Sequence, residues 1–157
     1  MIIFLFYHYY SIFPKNEFQK PAAFVGNAVH MYMKILFSKD ENINHSIFYL
    51  ADFPWYSTKA WANTIQKTLK TRPIKTAPLF LFKLLAFIGD IFKKIFQYDP
   101  PLTSFRLNNM LTGGNYPVDN TIKVVGQLPY DLKESVFITA KWMYKNKLIK
   151  HKPIIIK

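Results

Sequence analysis

Residues 78–98 read PLFLFKLLAFIGDIFKKIFQY, and the fold turns on what covers one side of them. Wound at about 100° per residue, Leu81, Leu84, Leu85, Ile88, Ile91, Phe92, Ile95 and Phe96 share one broad face, and Lys83, Asp90, Lys93, Lys94 and Gln97 share the other. The spacing predicts an amphipathic helix. Its apolar face must be covered by a protein core, a partner or a membrane surface. Four ionic residues on one stripe let such a helix lie on a bilayer but not cross it readily.

The chain around this helix has 157 residues and is 50% hydrophobic, enough for one domain with a buried core and too apolar for a disordered segment. Lys and Arg number 21 against 9 acidic residues, a net charge of +12 that favours anionic partners, nucleic acid or lipid. The lysines are spread along the chain and meet no nucleic-acid module, so a solvated surface is the preferred reading and nucleic acid is not an expected partner. Cysteine is absent, which removes disulfides and thiolate metal sites and leans toward the cytosol. The opening MIIFLFYHYYSIF has no basic residue before its apolar run and no small-residue cleavage site, so it fits a signal peptide poorly. It is also shorter than the roughly 20 apolar residues of a membrane span.

Along the chain, the polar run that starts at Pro14 reads as a loop. Residues 22–25 read as a short strand leading into a helix capped by Asn27, with Val29, Met33, Leu36 and Phe37 on its buried face. Residues 47–51 are a β-rich apolar run and read as a buried strand ending at Asp52. Ser57 caps a helix through Lys70 with Trp61, Ile65 and Leu69 inward, and Pro73 ends it. Residues 74–77, bounded by prolines, are an edge strand at best. Asp99-Pro100-Pro101 stops the amphipathic helix, and a helix over 102–111 ends at Gly113-Gly114. Asp119 caps a short helix closed by Gly126, and Asp131 with Glu134 has capping-box spacing for a last helix to about Lys145, carrying Trp142 and Met143. The tail KNKLIKHKPIIIK reads as a loose basic end. The expected class is therefore α+β and helix-rich, with two or three short strands.

Chemistry is sparse. His8, His30, His45 and His151 show no helical pairing for a metal; there is no G-x-S-x-G elbow; and Gly113-Gly114 lacks the phosphate-loop pattern. The acidic residues sit mostly at caps and turns. No catalytic, cofactor-binding or metal-ligating residue is assigned.

The order of segments brings a resemblance. Phe24-Val25-Gly26-Asn27-Ala28-Val29-His30, then Phe48-Tyr49-Leu50-Ala51-Asp52, then the Pro-bounded run and the amphipathic helix come first. Pro101-Leu102-Thr103-Ser104-Phe105-Arg106, Val124-Val125-Gly126-Gln127-Leu128-Pro129, Leu132-Lys133-Glu134-Ser135 and Ala140-Lys141-Trp142 follow. Together these resemble the C-terminal half of the NAD-dependent epimerase/dehydratase family, the extended short-chain dehydrogenases, of the 3-beta-hydroxysteroid dehydrogenase kind. The resemblance covers residues 21–147, leaving an unassigned apolar segment over 1–20 and a basic tail over 148–157.

In that family a Rossmann half binds NAD(P) through G-x-x-G-x-x-G, and a Tyr-x-x-x-Lys pair moves the proton. Neither motif is in this chain, and no tyrosine is followed four residues on by a lysine, the one-turn spacing that sets an ammonium beneath a phenol. The resemblance thus implies a helix-rich substrate-binding subdomain, a fragment of an α/β Rossmann-type enzyme, that binds no cofactor alone. Whether it acts as an enzyme is left open, and the substrate implied is a nucleotide sugar or a sterol-like alcohol. A missing Rossmann half or a homodimer partner is implied too, in the cytoplasm. Arg106 is the candidate for an anionic substrate group because a guanidinium holds phosphate bidentately, though a structural cap would use it equally well. Trp55 and Tyr56 are candidate pocket walls, with turn-and-core packing the competing role. On this reading the helix over 78–98 packs on neighbouring helices, and any face the missing half would cover stays exposed. The alternative is a basic, non-enzymatic protein that docks on anionic membranes through the same helix.

Overall fold

In a computed structural model the described residues are 12–14, 19, 21–40, 43–71, 75–114 and 116–156. The apolar opening run over 1–11, Pro73 and Ile74 lie outside them, so the readings made there have no structural counterpart. In chain order the elements are β1 (Ile12–Pro14), α1 (Val25–Leu36), α2 (Thr58–Leu69), β2 (Lys75–Ala77), α3 (Leu79–Phe96), α4 (Ser104–Leu111), α5 (Asp119–Val125) and α6 (Leu132–Lys145). The α+β expectation is overturned: six helices build the described fold, and the two strands are three-residue stretches paired in parallel, Ile12 with Lys75 and Pro14 with Ala77. Pro14 is the last residue of a strand, and residues 15–18 and 20 of the run read as a loop lie outside the described residues.

The core lies between α2 and α6. Ser57 caps α2 by accepting from the Ala60 N–H at 3.1 Å, and Lys70 closes it in the left-handed region. Asp131 and Glu134 form the capping box of α6, with Glu134 N–H donating to Asp131 Oδ1 at 2.8 Å and Asp131 N–H to Glu134 Oε2 at 3.0 Å. From these caps Ala62, Ile65 and Leu69 meet Leu132, Val136, Ala140 and Met143. Ile149 joins the same cluster, and the Ile154 N–H donates to Thr68 O at 2.8 Å. The tail is thus tied back across α2 and α6, not loose, because its isoleucines find the edge of this core.

The runs over 22–25 and 47–51 form no strand. Among the described residues no ladder partner runs beside either, and their polar backbone is met by single bonds such as Asp52 N–H to Ala22 O at 2.9 Å. Helix α1 starts at Val25 on an extended Phe24, so Asn27 lies inside the first turn and caps nothing. Its buried side carries Asn27 and Met31, while Val29, Met33, Leu36 and Phe37, expected inside, are exposed. Asn27 is held by tertiary hydrogen bonds that turn the helix to that side.

Helix α3 shows the same inversion. Leu81, Leu84, Leu85, Ile88, Ile91, Phe92, Ile95 and Phe96 are all exposed, and the residues buried are Ala86 and Gly89. Small residues on the polar side let α4 approach closely, and a Cβ on Gly89 would overlap the carbonyl oxygen of Leu102. The Asp90 carboxylate accepts the Ser104 N–H at 3.1 Å, which satisfies a free donor at the start of α4. Among the described residues no helix is long and apolar enough to cross a membrane.

Candidate functional site

Asn27 is a buried polar residue, 1% exposed, and the network around it draws three distant segments together. Its Nδ2 donates to Asp52 Oδ1 at 3.0 Å and to Tyr130 O at 2.9 Å, and its Oδ1 accepts the Tyr130 N–H at 3.1 Å. Asp52 Oδ2 accepts the Phe24 N–H at 3.0 Å, so both carboxylate oxygens are engaged. The Phe24 and Tyr130 rings meet edge to face, centroids 5.3 Å apart. Partners separated by 25 and 103 residues meet on one side chain.

Burial pushes the Asp52 carboxyl above its ordinary 3.8, and the hydrogen bonds from Asn27 and Phe24 pull it part of the way back. A raised folded value means the folded chain holds the proton more tightly than the unfolded chain. That contribution to stability is complete below 3.8 and is lost as pH rises through the folded value. We expect carboxyl-carbon NMR to titrate Asp52 above 3.8, and urea unfolding to show a stability component that falls from about pH 4 upward and vanishes in Asp52→Asn. A midpoint at or below the ordinary value would contradict this.

The three residues singled out in the sequence do not converge on that network. Arg106, on α4, donates from Nη1 to Pro100 O at 2.8 Å, so one of its donors braces the turn between α3 and α4. Thr103 caps α4 by accepting the Arg106 N–H at 3.3 Å. In the same turn Lys93 and Asp99 pair at 2.7 Å on the surface, which holds the Asp99 carboxyl below its ordinary value. Tyr56 packs against the α2–α6 core, and burial raises its phenol. Trp55 is half-buried in the turn that follows a cis Phe53-Pro54 bond.

Recesses on the described surface include two near these elements. One of about 250 Å³ lies between α6 and the tail, walled by Tyr130, Phe137, Ile138, Ile155 and Ile156 with Lys133 and Glu134 at its edge. The other, about 420 Å³, is lined by His45, Ile47, Tyr49, Pro117, Asp119 and Asn120, beside a stacked Tyr49–Tyr116 pair. Arg106, Trp55 and Tyr56 line neither. Among the described residues no group of three or more His, Asp or Glu is placed to hold a metal ion.

Asp52, with both oxygens engaged by Phe24 and Asn27, holds segments in register. Sequence reading placed Asn27 at a helix cap, where an Asn is most often used. The available signal was an Asn one turn inside an apolar helix and an Asp ending an apolar run. No protein-family model, curated protein or solved structure matches the chain.

Proposed function

We propose that this chain is the substrate lobe of an NAD(P)-dependent epimerase/dehydratase or dehydrogenase acting on a nucleotide sugar or a sterol-like alcohol, and that it performs no turnover without a nucleotide-binding half. The observation that supports the reading is the network at Asn27. It joins FVGNAVH at Phe24 and Asn27 to FYLAD at Asp52, two of the stretches on which the resemblance rests, and to Tyr130, which directly follows a third. Segments far apart in the chain are brought into one hydrogen-bonded unit.

A second feature agrees with a missing half. Val25, Val29, Tyr32 and Leu36 recur one turn apart along α1 and are exposed, a continuous apolar stripe of the kind a neighbouring domain covers. In this reading the proton-transfer pair and the dinucleotide loop belong to that neighbour. Arg106, Trp55 and Tyr56 remain the residues assigned to substrate contact.

Calorimetric titration of NAD or NADP into the chain should give no binding heat, and measurable affinity would sink the proposal. The DNA immediately upstream, read in every frame, should encode G-x-x-G-x-x-G and Tyr-x-x-x-Lys. Its failure to do so would count against a separated lobe.

A further inference from the structure

We infer that α3 docks in the plane of an anionic lipid bilayer through its exposed apolar face, a role independent of the substrate-lobe reading. The side of the helix turned to the protein is settled by Ala86 and Gly89, with the Leu102 carbonyl lying over Gly89. That contact holds the strip of Ala86, Gly89 and Asp90 against the segment leading into α4 and leaves the leucines, isoleucines and phenylalanines of the broad face exposed. Phe80, Phe87, Ile95 and Phe96 are each at least 60% exposed, on a helix that buries only Ala86 and Gly89. This is the arrangement of an interfacial helix, in which bulky apolar groups enter the acyl boundary and long cationic side chains reach the headgroups.

The charges select lipid over a second copy. Lys83 and Lys94 border the apolar face along one edge; Lys93, on the other, is paired with Asp99. Asp90, the acidic residue of α3, is turned inward, where it accepts the Ser104 N–H. Two copies meeting through this face would bring like-charged edges together on chains that each carry +12, whereas a leaflet rich in phosphatidylserine supplies the opposite charge.

The test uses the full chain and sedimentation with vesicles of about three parts phosphatidylcholine to one part phosphatidylserine, against phosphatidylcholine alone. We expect binding to the anionic vesicles, at least about tenfold weaker binding to the neutral ones, and steep weakening with salt. Lys83→Ala with Lys94→Ala should weaken binding about twenty-fivefold, at roughly fivefold per lysine. Ile88→Asp should abolish it while leaving the circular dichroism unchanged, since Ile88 is exposed. Brominated acyl chains should quench the fluorescence added by Phe92→Trp. Equal binding to both vesicle types, or binding indifferent to Ile88→Asp, overturns the inference. A solution dimer that Ile88→Asp dissolves, without vesicle binding, would overturn it in favour of a second copy. The cofactor titration above reads on neither outcome.

Discussion

Replacing Asn27 by alanine is expected to lower the free energy of unfolding by about 3–5 kcal/mol, a large share of what a domain of this size has. The residue is 1% exposed, so water cannot take over its bonds. Its loss strands Asp52 Oδ1 and both backbone groups of Tyr130, and a buried carboxylate short of a donor is the costliest of the three. Urea unfolding followed by far-ultraviolet circular dichroism measures this directly. Asn27→Asp separates electrostatics from shape: it sets a second carboxylate against Asp52, so it should be as damaging at neutral pH and recover in acid as the pair shares a proton. A loss below about 1 kcal/mol for Asn27→Ala would mean that the network contributes no more than an ordinary surface bond.

The second large effect is expected at Gly89. A methyl group there meets backbone, the Leu102 carbonyl, and backbone cannot step aside as a flexible side chain can. Gly89→Ala should therefore cost about 3 kcal/mol or more as the α3–α4 crossing opens, against the gain of less than about 1 kcal/mol that alanine brings to a helix interior. The opening also pulls Ser104 from Asp90 and Pro100 from Arg106, so amide exchange should quicken at Ser104 and Arg106 before it does in α2 and α6. Unchanged stability in this variant would show that the crossing is looser than the structure has it.

Several helix ends were well marked in the sequence, though Asn27 and Asp119, expected as caps, lie inside helices that start from Phe24 and Val118. Ser57 and the Asp131/Glu134 pair supply caps whose geometry depends only on neighbours three residues on, and Gly126 closes α5 at φ 73° as its position suggests. Ile65 and Leu69 of α2 were equally legible as buried, although the structure buries Thr68 beside them. Strand readings over 22–25 and 47–51 failed for a physical reason. A short β-rich run becomes a strand only if another run lies alongside, and these two exchange a few bonds with loops and side chains.

The candidate site was less legible. Asn27, Asp52 and Tyr130 each look ordinary locally, and their importance lies in separations of 25 and 103 residues that no pattern along the chain carries. Arg106 was chosen for what guanidinium chemistry can do, and the structure adds the use that its place in the turn makes of one donor.

The stretch 78–98 divides the two kinds of information most clearly. Its helical state, its amphipathic pattern and its termination before Pro100 follow from side-chain periodicity and proline sterics, which act within a few residues and so can be read from the order of residues alone. Which side faces the protein was decided by the tertiary structure. Burying the leucines and phenylalanines would yield more hydrophobic free energy, but the crossing of residues 100–102 needs the absent side chain of Gly89 and the carboxylate of Asp90, and both lie on the polar side. Backbone approach and the capping of α4 set the orientation, and the apolar face was left for what lies outside the chain.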